Sequence, residues 1–436
     1  MRWVFLLTAS AALAQDTLPL SLKRAVEIAL APEGSPRVAL AEESIRQSQT
    51  GVAQARAAFL PDIEASVTDQ SETVNLRSFG LNFPLPAGVS FPSLVGPFSV
   101  FDARATANQS VFDFSSIKKY QSSKATVEAN KADAETTRNQ VSDTVARAYL
   151  ACLRADAKVE TERANVELSD ALLKLSNRQK TAGTGLAIEV TRAQVQLAND
   201  RQNLIVAEND RRKAVLQLLR AMGLNLDARI AFTDKLAYKP VDVGSMEAAL
   251  ETARKERAEL KAQAKREEIA KLNYGSVKAE RLPSISAFGN YGIIGPEIIG
   301  ALPTRSVGVT LKVPVFDGGR RDARRAESLS QLRQEEIRSR DVKQQVELDV
   351  RLALDSIKSA ASQVDTAREG LTLAENELAQ AQRRYEGGVA NSIEVTDAQT
   401  RLDRARDNRI AALYNYNLAR LDLATATGSI AEFLNQ

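Results

Sequence analysis

The sequence contains no histidine, the side chain most often used as a general base and the commonest protein metal ligand. Its single cysteine, Cys152, excludes an intrachain disulfide, a CxxC pair and a cysteine zinc site. Neither a GxxxxGK(S/T) loop nor a GxGxxG turn occurs. An enzyme would have to rely on carboxylate, serine or lysine, and no such constellation stands out. The reading is a non-enzyme with no catalytic residue, no metal and no cofactor. Charge of one sign is also missing: 58 basic residues are interspersed with 55 acidic ones, without the lopsided patch that nucleic acid demands. Aromatics are only 5%. Beyond the first residues there is no apolar run of about 18, so no helix is expected to cross a membrane.

What remains is 436 residues, 44% apolar and 26% charged, rich in Ala, Gln, Arg, Glu and Leu over long stretches. That bias suits long helices better than a compact globule. At the start, Arg2, the apolar stretch Trp3 to Ala12 and the small-x-small site Ala12-Leu13-Ala14 predict an export signal cleaved before Gln15. No cysteine follows the site, so no lipid anchor is expected there.

The chain resembles itself. Ile188-Glu189-Val190-Thr191-x-Ala193-Gln194-x-x-Leu197 recurs 205 residues later as Ile393-Glu394-Val395-Thr396-x-Ala398-Gln399-x-x-Leu402. The same offset carries Gly183 onto Gly388 and Gly223 onto Gly428, while Val111-Phe112-Asp113 recurs as Val315-Phe316-Asp317. Leu60-Pro61-x-Ile63 recurs as Leu282-Pro283-x-Ile285 at a larger offset, so the halves differ in a loop. Each half reads strand, loop, strand, long helix, turn, long helix. The expected division is an export signal (1–14), a first repeat (15–223), an equatorial connector (224–245), a second repeat (246–428) and a tail (429–436). Strands are expected at about 62–113 and 283–315, and helical hairpins at about 116–223 and 319–428.

The strand segments alternate apolar and polar residues: Ile63, Ala65, Val67; Phe101, Ala103, Ala105, Ala107; Ile285, Ala287, Gly289, Tyr291; Val307, Val309, Leu311, Val313. Pro/Gly/Phe-rich loops lie between the paired strands, about Arg77 to Pro97 and Ile294 to Pro303. Alternation alone fits either a soluble sheet with one wet face or strands of about ten residues in a thin outer membrane.

The helices carry the strongest pattern. From Val346, apolar positions run Val350, Ala353, Ile357, Ala360, Val364, Ala367, Leu371, Ala374, Leu378, Ala381 and Tyr385, a spacing of four and three without a break. This is the seam of a left-handed coiled coil, with small and large residues alternating. After the Gly387-Gly388 turn the rhythm returns as Ala398, Leu402, Ala405, Ala412, Tyr416, Ala419, Leu423 and Ala426, broken once by Arg409. A helix from about Gly319 to Tyr385 would be on the order of 100 Å long at 1.5 Å per residue. In the first half the seam is more polar, with Asp200 and Arg211 on it, and Cys152 falls where the second half has Ile357, as a packed, inert thiol. Four amphipathic strands cannot stand in lipid with open edges, so several chains would have to close one barrel, and two helical hairpins per chain would continue it as a tube. Closure alone does not set the number of chains.

These features resemble the TolC-like outer-membrane efflux protein family. The resemblance rests on the paired Leu-Pro-x-Ile and Val-Phe-Asp segments and on Arg384-Tyr385-x-x-Gly388 followed by Ile393-Glu394-Val395 and Ala398-Gln399-x-x-Leu402. The closings Ala221-Met222-Gly223 and Ala426-Thr427-Gly428 fit as well. It covers essentially the whole chain after the export signal. It implies a mainly α chain with a β-barrel portion: a homotrimer with a twelve-stranded barrel in outer-membrane lipid and a long periplasmic tunnel of coiled-coil hairpins. It also implies docking to a periplasmic adaptor and an inner-membrane pump. The helix turns would form the periplasmic tip, with Glu394, Asp397 and Glu189 at the aperture and Tyr385, Gly388 and Gly183 at its closure. Glu394 and Asp397 are three apart at a helix start and share one face, where the dipole favours carboxylates. Ordinary helix-starting acids, and for Tyr385 the last large seam residue, are the plainer roles. Ala390 and Asn391 stand where some members have a basic residue, and Arg192 replaces the second acid in the first half.

Two other readings compete. A periplasmic adaptor normally has one hairpin, and a structural coiled coil outside the membrane needs no alternating strands. The cargo is not legible.

Overall fold

The computed structural model describes residues 18–80, 93–241 and 244–435. The expected export signal and most of the first interstrand loop lie outside these residues. In chain order the elements are β1 (Leu18–Leu20), α1 (Leu22–Leu30), α2 (Pro36–Ala57), β2 (Asp62–Asn75), β3 (Leu94–Phe112), α3 (Phe114–Thr181) and α4 (Ala187–Met222). Then follow β4 (Ile230–Phe232), α5 (Met246–Glu256), α6 (Ala258–Ala279), β5 (Ser284–Gly295), β6 (Leu302–Lys312), α7 (Arg320–Glu386), α8 (Ser392–Thr427) and α9 (Ile430–Phe433). The protein is mainly helical with a small sheet portion.

Two helices precede each strand pair, α1–α2 and α5–α6, which the apolar pattern did not predict. Their starts carry ordinary signals. Ser21 Oγ accepts from the Arg24 amide at 3.2 Å, Ser245 Oγ accepts from the Ala248 amide at 3.2 Å, and Pro36 opens α2. The bodies of α2 and α6 are polar on most faces, and in α2 only Val38 is buried. The segment 224–245 likewise holds β4, which pairs in parallel with β1.

The chain divides into two compact units. One comprises Asn130–Ala262, Arg340–Gln436 and the chain up to Ser44; the other comprises Ile45–Ala129 and Gln263–Ser339.

The second unit holds an antiparallel sheet in the order β2-β3-β5-β6. Its register decides which residues share a face. Ile63, Ala107, Gly289 and Val307 lie in one cross-strand row, and Val67, Ala103 and Ile293 in another. Residues on the opposite face come from rows such as Glu64, Thr106, Asn290 and Ser306. One face is therefore largely apolar and the other largely polar. The apolar face is open, with Val67 73% and Val307 86% exposed. Phe288 is an exception on the polar side; its ring lies over Gly308, where a β-carbon would sit 2.6 Å from it. Beneath the sheet, buried serines let helices approach closely. Ser115 and Ser276 hydroxyls are 3.0 Å apart, and Ser122 Oγ donates to Asn273 Oδ1 at 2.7 Å.

The first unit is a helical body. Its largest core gathers Leu20, Val26, Val145, Tyr149, Cys152, Leu218, Leu219, Met222 and Leu421. Tyr149 ties the β1–β4 ladder to α3, donating to Leu20 O (2.9 Å) or Asp234 Oδ2 (2.8 Å), with Phe232 edge-on to its ring. Burial pushes the Cys152 thiol up to about 12, so it stays a neutral packing group. Every position of the α7 seam from Val346 to Tyr385 is buried except Ala367, which is partly so. On α8 the same holds from Ala398 to Ala426 but for half-buried Ala405 and Leu423 and the exposed Arg409.

Candidate functional site: the paired helix turns

The turns α3–α4 and α7–α8 are built alike. Gly183 (φ +77°) follows the end of α3 and Gly388 (φ +73°) that of α7, left-handed conformations that a β-carbon would strain. In the first turn the Gly183 amide donates to Lys180 O and the Thr184 amide to Gln179 O. In the second, Gly388 donates to Tyr385 O and Val389 to Arg384 O. Each is the paired-bond C-cap that glycine favours. α4 and α8 are both 36 residues long.

The starts of α4 and α8 differ. Asn391 caps α8, its Oδ1 accepting from the Glu394 amide at 3.3 Å. Leu186 has no side-chain acceptor, and Glu189 instead reaches back to the Leu186 amide at 3.3 Å. Spared that duty, Glu394 pairs across its turn with Arg384 Nε at 2.9 Å. Asp397 is exposed and, among the described residues, has no ion-pair partner. Glu394 and Asp397 thus both face solvent on the first turns of α8, but only one is free of a cation.

Tyr385 does not face solvent. It is buried with Leu378, Ala381, Val395, Ala398 and Leu402, against Leu172 and Leu175 of α3. Its hydroxyl lies 3.2 Å from Ser176 Oγ. Burial raises its pKa above the usual phenol value, and the Glu189 carboxylate adds to the rise. The end of α7 thus packs against α3 of the other hairpin.

Behind it runs a polar layer of which the apolar pattern flagged only Asp200. Asp200 is 1% exposed; it accepts from Ser169 Oγ and, at 2.9 Å, from Gln196 Nε2. Gln399 Nε2 donates to Ser169 Oγ at 2.7 Å. Deeper, Lys158 Nζ bridges Glu162 and Asp407, each at 2.5 Å, and Arg406 donates to Asn165 Oδ1 at 2.7 Å. Ser169, Ser176 and Asn165 carry no periodic signal of their own. Only their place on the inner stripe of α3 marks them. No group of three or more potential metal-binding side chains is present among the described residues. The arrangement can fix helices and present the carboxylates of Glu394 and Asp397 to solvent.

The family profile described as "Outer membrane efflux protein" matches residues 28–224 and 249–429. The outer membrane protein TolC of Vibrio cholerae is 24% identical over 297 residues, covering 66% of this chain and 67% of that protein. The alkaline protease secretion protein AprF of Pseudomonas aeruginosa is 23% identical over 438 residues, covering 96% of this chain and 87% of that protein. The crystal structure of the Campylobacter jejuni CmeC outer membrane channel superposes with a TM-score of 0.80 at 16% identity, over 94% of this chain and 85% of that one. The fold is shared with that channel.

Proposed function

Because the chain belongs to the outer membrane efflux protein family, and is thus a subunit of an outer-membrane efflux or secretion channel, we propose that three copies close one conduit. In it, twelve strands form a barrel in the outer membrane, and the helical hairpins continue it as a periplasmic tunnel. The observation that carries this reading is the sheet: four strands, one open apolar face and two unpaired edges, β2 and β6. In hydrocarbon each unpaired edge group costs several kcal/mol, so the edges must meet other chains. The helical part points the same way. α4 leaves Val195, Ile205, Val206 and Leu216 exposed, and α7 leaves Leu348, Leu352 and Leu373 exposed. Apolar residues on both hairpins suit burial against neighbouring hairpins.

The conduit does no chemistry of its own. Docking by a periplasmic adaptor and an inner-membrane pump opens it, and the pump supplies the energy. We read the duplicated hairpins as two quasi-equivalent staves per chain. The α3–α4 and α7–α8 turns form the aperture, where Glu394 and Asp397 of three chains make a ring of six carboxylates. Such rings select for cations. The Arg384 pairing offsets much of Glu394, so Asp397 carries the larger share. Tyr385, with Ser176 and Glu189 near it, holds the second turn in its closed packing, and Gly183 and Gly388 let both turns reverse tightly.

The test is planar-bilayer conductance of the detergent-purified protein, beside Asp397→Ala and a Glu394→Ala/Asp397→Ala double variant. A small cation-preferring conductance is expected, with most of the preference lost already in Asp397→Ala. Unchanged selectivity in the double variant would remove the ring and keep the channel. A protein that stays soluble without detergent and never inserts would remove the barrel.

A further inference from the structure

Two buried acceptor oxygens on α8 lack a hydrogen. Gln399 is 0% exposed; its Nε2 is committed to Ser169, and its Oε1 has no partner. Asp403 Oδ1 is shielded from solvent and likewise has no partner. The two residues are four apart on one helix, so their side chains are neighbours, with β-carbons about 6 Å apart. An unsatisfied buried polar atom costs about 1–3 kcal/mol, and two side by side call for a common cause.

The surroundings say what is missing. Asp200 of α4, fully buried and without a cation, and Glu162 of α3 bear on Asp403 as like charges. On its own helix Asp407 adds another, and Arg406 opposes them. Lys158 is taken up by Glu162 and Asp407, and Gln196 donates to Asp200. At this level α7 contributes the apolar residues Leu371, Ala374 and Leu378 to the core. An ionised Asp403 would be one carboxylate too many, and it would have no hydrogen to offer Gln399.

We propose that Asp403 and Gln399 form a proton-binding site inside the bundle, in which the neutral Asp403 carboxyl donates its O–H to Gln399 Oε1. The proton comes from solvent and returns to it; no other bond changes. Burial, then the charges of Asp200 and Glu162, raise the Asp403 carboxyl to about 6. A carboxyl held above its unfolded value near 3.9 stabilises the packed layer fully below that value. The contribution is lost as pH rises through the folded value. Local opening of α8 from α3 and α4 therefore grows by up to about tenfold per pH unit between roughly 4 and 6, and levels off above.

Difference infrared titration of the full-length protein in detergent tests this, read at the carbonyl stretch of a protonated carboxyl. The wild type is expected to show the band at pH 5 and lose it with a midpoint near 6. Asp403→Asn, whose amide supplies a permanent donor to Gln399, should keep the far-ultraviolet circular dichroism and lack that band. Two results would overturn the proposal. One is no such band in the wild type, as when a bridging water satisfies both oxygens and Asp403 stays ionised. The other is the same band and midpoint in Asp403→Asn, which places the proton on another carboxyl. The wild-type titration decides the first point even if the variant does not fold.

Discussion

The stretches Ile188–Leu197 and Ile393–Leu402 share most of their letters and bury the same seam residues, Val190 with Val395 and Leu197 with Leu402, but differ at the polar and small residues between them. Gln399 is fully buried and Gln194 exposed; Ser392 is buried and Ala187 at the matching place is exposed. Ile188 and Ile393, by contrast, are both about half exposed. One helix, α8, is covered by its neighbours within the chain, while α4 keeps an open side. Local sequence sets the helix, its length and its glycine stop. What surrounds the helix sets which polar residues must find partners. The seams follow the same division: Ile357 in the second hairpin corresponds to Cys152 in the first, and Ala405 to Asp200.

The contrast can be broken at its most buried points first. Ile357→Ala, at 1% exposure, should cost about 2–5 kcal/mol, whereas Cys152→Ala at the matching place should cost about 1 kcal/mol, because less volume is lost. Chemical unfolding followed by circular dichroism measures both; equal losses would mean the two seams are packed alike after all. Next in size, Asp200→Ala strands the hydroxyl of Ser169 and the amide of Gln196, for about 1–3 kcal/mol. If it proves neutral in the same assay, the polar seam is hydrated rather than self-satisfied. The smallest effect sharpens the comparison at the turns. Leu186→Asn gives α4 the cap that α8 already has and should stabilise by about 0.5–1 kcal/mol, and Asn391→Ala should lose about as much. A destabilising Leu186→Asn would show that the leucine packs in a way the cap cannot replace.

Much of the architecture was legible in the sequence because its periods are long and clean. The α7 seam, read from spacing alone, is the line of residues that the structure buries, and Arg409, the one break in the α8 rhythm, is the residue that turns outward. The four alternating segments emerge as the four strands of one sheet. The helices α2 and α6 escaped because a polar helix has no apolar stripe to announce it, and β1 with β4 because three residues carry no period. The neighbourhood of β3 and β5, which joins the two strand pairs, depends on contacts far apart in the chain. At the turns the residue types were legible and their partners were not. Nothing in the letters tells that Glu394 meets Arg384 while Glu189 folds back on its own helix start.

The open edges of the sheet have a kinetic consequence. A strand pair that closes within one chain forms at a rate independent of concentration, but in the proposed conduit β2 and β6 pair with other copies. Completion of the proposed barrel would then be a step of higher order than first, slowed by dilution and hastened by crowding of subunits at the membrane. Until it occurs, each subunit exposes an apolar face and two unsatisfied backbone rows, which is also the description of an aggregation-prone intermediate. In that assembly the stability of the finished sheet would be a property of the assembly and its concentration.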